Sequence, residues 1–291
     1  MWGERFRRRD LAKLAGAGYI SADRVKQRSL WTPDPNLVLR IRSLYYHNIP
    51  SFDWLVKDVL TIRRQGYRPI RQQEIVRRLA GDPNPSLIPK TDGKRFAVFI
   101  DDSWKEHFPL ARYLVTEYPK RVRIDLKVDE ELEVVLAVIT KLAPTLADGP
   151  EGPLEKLPLT RKLYPDTRNL TYGTIGDCLS ALELENILLY SHLPDHPHLT
   201  ALDQAGINSQ LDTGVERILG FHSLAERKVP VIGVVYPYGE YDARVLDHMA
   251  DIEAGIRTKQ PNAILVGYGT AAEKKSPLPI ATTYHENIEV K

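Results

Sequence analysis

The chain has 291 residues, with 40 Lys+Arg against 38 Asp+Glu, 43% hydrophobic and 27% charged. These proportions fit a soluble globular protein and exclude a collagen, a disordered tail protein and a polytopic membrane protein. The longest uninterrupted aliphatic run, Val134 to Ile139, falls far short of the ~20 residues needed to cross a bilayer, and the single cysteine, Cys178, excludes an internal disulfide framework or a multi-cysteine metal site.

The near-neutral total hides an asymmetry. Residues 1–80 carry 17 Lys+Arg against 7 Asp+Glu, and residues 81–291 carry 23 against 31. A basic first segment suits an anionic partner or simply a solvated basic face. No aromatic-basic stacking motif accompanies the charge, which argues against nucleic acid. Arg7-Arg8-Arg9-Asp10-Leu11 resembles a twin-arginine export signal, but the stretch from Leu14 to Ala22 contains two Gly, a Tyr and a Ser. That stretch is too polar for the apolar core an export signal needs. The expectation is a basic, helical extension over 1–36 and one α/β body over 37–291.

Arg40 to Tyr46 reads as a strand ending at His47. Ser51 is then a plausible N-cap. Phe52, Leu55, Val56, Val59 and Leu60 share one helical face, and Gly66 closes that helix. Arg71 to Leu79 predicts a second short helix. Phe96 to Ile100 predicts a buried strand. Val122, Ile124, Leu126 and Val128 alternate with Arg123, Asp125 and Lys127, a period of two that predicts a half-buried strand. Glu131 to Leu142 is helical in pattern. Pro144 to Pro165, rich in Pro, Gly and charge, predicts an inserted surface loop near 144–169.

Ile187 to Tyr190 is the next strand. Leu211, Val215, Ile218 and Leu219 mark a helix, and Val231 to Tyr236 and Ala263 to Val266 are further buried strands. Alternation of strand and helix predicts a mainly parallel α/β sheet or barrel.

In such folds ligands bind at the carboxyl ends of the strands. His47, Asp101-Asp102, the run from Ser191 to His198, and Tyr236-Pro237-Tyr238-Gly239 all sit at predicted strand ends. Two adjacent carboxylates after Phe-Ala-Val-Phe-Ile are costly if buried and unpaired, and in extended backbone they point in opposite directions. A cation would relieve the cost, with one Asp ligating and the other free to accept a proton; a solvated helix cap is the alternative. His192 and His196 are four apart, but Pro194 and Pro197 argue for a loop rather than one helical face. One Asp with two neutral imidazoles is a sound set for zinc or a similar divalent ion, with a position left open for water. Surface histidines in a polar loop are the alternative, and His198, past Pro197, is the weakest of the three as a ligand. Tyr236 and Tyr241 are candidates for lining a sugar site or for packing.

Taken in order, these motifs resemble the polysaccharide deacetylases with the NodB-type homology domain, carbohydrate esterase family 4. Leu44-Tyr45-Tyr46-His47-Asn48-Ile49 is similar to the Leu-x-Tyr-His-x-Ile segment of the subgroup acting on poly-N-acetylglucosamine, and Gly66-Tyr67 to its following turn. Phe99-Ile100-Asp101-Asp102-Ser103 resembles Thr-Phe-Asp-Asp-Gly. The segment from Ser191 to Leu199 resembles Ser-His-Thr-x-x-His-Pro-x-Leu, and Tyr236-Pro237-Tyr238-Gly239 matches Tyr-Pro-Tyr-Gly.

The resemblance implies a distorted (β/α) barrel and a metal-dependent hydrolase removing N-acetyl groups from a glycan. It implies Asp102, His192 and His196 as ligands of a divalent metal, zinc first and cobalt, nickel or iron as alternatives. It implies Asp101 as general base, the Tyr238 N–H as an oxyanion donor and His47 as general acid. It also implies a cell-envelope or secreted location, against which stands the weak export signal. Ser103 in place of Gly and Leu193 in place of Ser or Thr depart from the pattern and motivate the alternative of a weakly active or inactive glycan-binding barrel.

Overall fold

The computed structural model describes residues 41–46, 52–75, 94–102, 104–140, 173–227, 231–260 and 263–269. The expected N-terminal extension, the inserted loop, His47 and Ser103 lie outside them.

Among the described residues, seven parallel strands form one sheet in the order β1-β3-β4-β5-β6-β7, with the short β2 pairing β3. They are β1 (Ile41–Tyr46), β2 (Arg68–Pro69), β3 (Arg95–Ile100), β4 (Val134–Val138), β5 (Ile187–Ser191), β6 (Val231–Val235) and β7 (Ile264–Tyr268). The helices are α1 (Phe52–Arg64), α2 (His107–Leu126), α3 (Ile175–Leu182), α4 (Gln204–Leu224) and α5 (Ala243–Lys259). The polypeptide thus forms a distorted (β/α) barrel that curls part of the way round. Strands β3, β4, β5 and β6 are buried at every position, the pattern of a parallel sheet covered on both faces.

The two faces hold separate cores. Phe96, Val98, Ile100, Val134, Leu136, Val138, Ile187 and Leu189 face α1, α2 and α3. The intervening Ala97, Phe99, Val135, Ala137, Leu188 and Tyr190 join a second core with β6, β7, α4 and α5. The curl brings distant strands into contact through aromatic rings. Phe99 of β3 lies 5.0 Å from Tyr268 of β7, and Tyr190 of β5 lies 5.8 Å from the same ring. A flat sheet with three strands between β3 and β7 would hold those rings far apart, since neighbouring strands are ~4.8 Å apart. Gln72, 1% exposed, accepts a hydrogen bond from the Tyr268 hydroxyl and ties the segment after β2 to this junction.

Two sequence expectations are corrected. The alternating residues Val122, Ile124 and Leu126 belong to the last turns of α2, not to a strand, and Val128 lies just past its end. Phe108, Ala111, Leu114, Val115, Tyr118 and Val122 bury one helical face, whereas Ile124 is 64% exposed. The helical period therefore governs the whole 20-residue segment, and the period of two was a local coincidence at its end. Conversely, Glu131 to Leu142 contains β4 rather than a helix. Its β-branched residues pack against sheet neighbours on both faces, where pleated geometry suits them better than a helix.

Strands β1, β3, β5, β6 and β7 fall where expected, as do α1, with Gly66 beyond it at φ 90°, and α4, whereas the short β2 was read only as a turn. Of the second short helix, expected over Arg71 to Leu79, residues 71–75 are described, and 72–75 are helical. Helices α3 and α5 had gone unread, although each begins with a legible cap. Thr174 and Asp177 form a reciprocal capping box on α3. The Asp242 carboxylate accepts from the N–H groups of Arg244 and Val245 at the start of α5.

Candidate metal centre and active site

The carboxyl ends of β3, β5 and β6 meet at one place. At the end of β3 the Asp101 N–H donates to the Tyr46 carbonyl at 3.1 Å, extending the β1–β3 ladder by one residue. Asp102 then takes φ 68°, a left-handed conformation that Asp tolerates better than most residues. This reverses the extended-chain expectation that the two side chains diverge. Asp101 Oδ2 lies 3.6 Å and Asp102 Oδ1 3.5 Å from the same atom, His192 Nε2. Both carboxyl groups are buried, Asp101 completely.

His192 follows β5 directly, and its N–H donates to Val138 O at 2.7 Å. Its Nδ1 sits 2.7 Å from the Val235 carbonyl at the end of β6. A carbonyl only accepts, so Nδ1 carries a hydrogen, and Nε2 is turned toward the carboxylates, where it holds either a proton or, in its place, a cation. This is the usual backing of a metal-ligating imidazole.

Leu193 at φ 63° and His196 at φ 49° then fold the loop back. His196 Nε2 comes to 3.0 Å from His192 Nε2 and 3.4 Å from Asp102 Oδ1. Leu193, the departure from the Ser or Thr of the resemblance, is fully buried in the core. It anchors the loop by apolar packing where a hydroxyl would have done so by hydrogen bonding.

Two residues of α4 hold the loop from outside. Gln210 accepts from the Asp195 N–H at 3.1 Å and returns a hydrogen bond to the Asp195 carboxylate at 2.7 Å. Gly214 lies against Ser191 and Pro194, and a side chain there would meet both.

Asp102, His192 and His196 each present one ligand atom, and the three atoms lie within 4.8 Å of one another. Two imidazole nitrogens and a carboxylate oxygen in this space match the donor set that zinc takes. The chemistry of the donors fits: two Nε2 lone pairs repel at 3.0 Å unless a proton or a cation lies between them. Burial presses the His192 imidazole toward its neutral form. The hydrogen bond with Asp102 and the charges of Asp101 and Asp102 outweigh it, so its pKa stands above the usual histidine value.

The fourth wall comes from the segment after β6. Tyr238 adopts φ 55°, ψ 7° inside a single 3₁₀ turn, Pro237–Gly239. Its ring meets His196 edge-on at 4.8 Å and stacks face to face on His198 at 3.9 Å. Its phenol is held above the usual pKa by burial, then by the charges of Asp102 and Glu240. His198 is therefore beside the cluster but turned away from it, with Nδ1 3.1 Å from Glu240. Tyr236 and Tyr241 are buried, 2% and 7% exposed, with ring centroids 5.6 Å apart. They pack rather than line an open site. Sequence reading had passed over Gln210, Gly214, Glu240 and the Val235 carbonyl; Val235 and Glu240, which flank the Tyr-Pro-Tyr-Gly segment on either side, lay next to a flagged motif.

No protein-family model matches the sequence, and no curated protein matches it. Solved structures do. The deacetylase domain of BpsB from Bordetella bronchiseptica superposes with a TM-score of 0.56 at 15% identity, covering 87% of this chain and 97% of that one. A de-N-acetylase from Aggregatibacter actinomycetemcomitans gives 0.53 at 10% identity, over 84% and 94%. A polysaccharide deacetylase from Bacillus cereus gives 0.51 at 12% identity, over 84% and 64%. The chain has the fold of these deacetylases, the distorted (β/α) barrel that the motif order implied.

Proposed function

We propose that the protein is a metal-dependent de-N-acetylase of the polysaccharide deacetylase family, acting on an N-acetylated glycan. The observation that carries the reading is the convergence of Asp102, His192 and His196 at the strand ends, beside the buried carboxyl group of Asp101. The shared fold with solved deacetylases supports it.

Asp102, His192 and His196 would hold the cation. Zinc fits this donor set, and cobalt, nickel or iron also take such ligands. When bound, such a cation supplies Lewis acidity, polarising an amide carbonyl and acidifying a water molecule. Asp101 reaches the same imidazole without belonging to the ligand triad. It takes the proton from the attacking water, a role worth about 10²–10⁴ in rate. The Tyr238 N–H donates to the oxygen that gains charge as the carbonyl becomes tetrahedral. His47, following β1, gives a proton to the departing sugar nitrogen.

The test is acetate release from N-acetylglucosamine oligomers. Protein loaded with one equivalent of zinc releases acetate and chelator-stripped protein does not. Zinc-loaded protein that binds the oligomers without releasing acetate would contradict the reading.

A further inference from the structure

The loops after β5 and after β6 are braced together at the rim of the cluster. His198 lies flat on Tyr238, the rings 8° from parallel. Its Nδ1 is 3.1 Å from Glu240 Oε1, and Glu240 Oε2 accepts from the Thr200 hydroxyl at 3.1 Å. Glu240 thus uses both oxygens on one short stretch of the β5–α4 loop. Arg244, at the start of α5, binds the same stretch through the carbonyls of Thr200 and Leu202.

What this brace holds is strained. Tyr238 sits in left-handed backbone, a strained conformation for a non-glycine residue that persists only where its surroundings enforce it. Relaxing φ would swing the Tyr238 N–H away from its present direction. The His198 ring covers one face of the Tyr238 ring, and His196 meets that ring edge-on. Glu240, two residues past Tyr238, fixes the chain on the other side.

We infer that His198, held by Glu240, is a positioning residue that keeps the Tyr238 N–H aimed at the reacting carbonyl while taking no part in metal binding. The inference rests on the deacetylase reading for its kinetic consequence, but its structural half stands alone. The stacked ring face does the positioning, so a phenyl ring should replace most of it and a methyl group none.

The experiment compares His198→Ala, His198→Phe and Glu240→Gln with the unaltered chain. His198→Ala should lower kcat at least about tenfold, short of the ~10²–10³ for outright loss of an oxyanion donor. KM and zinc stoichiometry should stay within twofold. His198→Phe should recover most of that rate, and Glu240→Gln should fall between. The Tyr238 backbone chemical shifts, which report positive φ, should leave the left-handed range in His198→Ala and remain there in His198→Phe.

Unchanged Tyr238 shifts in His198→Ala would overturn the inference whether or not the protein is active. Loss of zinc from that variant, or a kcat within twofold of the parent, would overturn it as well. Shifts that move as expected in a zinc-loaded chain that releases no acetate would instead count against the deacetylase reading.

Discussion

Gly214 offers a direct measure of how tightly α4 presses on the loop carrying the two histidines. On propensity alone Gly214→Ala should help, since a helical Gly costs about 1 kcal/mol relative to Ala. Packing says the opposite. A Cβ at Gly214 would fall within 3.0 Å of Ser191 Oγ, with Pro194 Cδ at 3.4 Å and Ser191 Cβ at 3.5 Å. Overpacking of this kind costs ~1–3 kcal/mol. The Ser191 hydroxyl cannot simply rotate away, because it accepts from the buried Leu193 N–H at 3.2 Å, a bond worth ~1 kcal/mol.

The balance is a net loss of up to about 2 kcal/mol, read as a lower denaturant midpoint at unchanged m-value. Ser191→Ala alone also destabilises, by leaving that N–H unpaired. Added to it, Gly214→Ala meets only ordinary van der Waals contacts, with Pro194 Cδ and the retained Cβ of residue 191, and regains its helical advantage. The two substitutions should therefore couple by at least ~1 kcal/mol in a double-mutant cycle. Because the loop shifts, Gly214→Ala should also bind zinc more weakly. A single Gly214→Ala variant that gains the full propensity term would refute the close approach.

Two buried groups give the protein opposing pH dependences. Burial holds the His222 pKa down at about 4, so its contribution is present above the unfolded value of 6.5 and is lost as pH falls from there toward 4. Burial raises Glu133 to about 6, so its contribution is present below the unfolded 4.5 and is lost as pH rises through 6. These are worth at most about 3 and 2 kcal/mol respectively, and between pH 4.5 and 6 their slopes cancel. In Glu133→Gln, stability should rise with pH across that window when followed by denaturant midpoint; a slope no different from the parent's would contradict the assignment. At the cluster, Asp102→Ala should lose zinc and activity together. Asp101→Asn should keep zinc in equilibrium dialysis but lose turnover by at least ~10², and a near-normal rate would remove Asp101 as the base.

Much of this fold was legible because parallel strands buried on both faces read as short apolar runs. Phe96 to Ile100 and Ile187 to Tyr190 are of this kind. The same rule explains the failure at Val134 to Ile139, an apolar run that was read as part of a helix over Glu131 to Leu142. The α2 error had the reverse cause: four alternating residues outweighed a helical face of greater length. The cluster was legible in its residue types and order, since three ligand side chains came from two flagged segments. Its geometry was not. The turn at Asp102, the backing of His192 by the Val235 carbonyl and the brace from Glu240 all depend on backbone conformation and on strands distant in sequence. No local pattern records those.

The central claim is that Asp102, His192 and His196 share one cation. The most direct test is diffraction from zinc-soaked crystals at the zinc absorption edge. A single anomalous peak at ~2.0–2.2 Å from one Asp102 oxygen and from both Nε2 atoms is the predicted result. A peak elsewhere, or none at these three residues under saturating zinc, would contradict it.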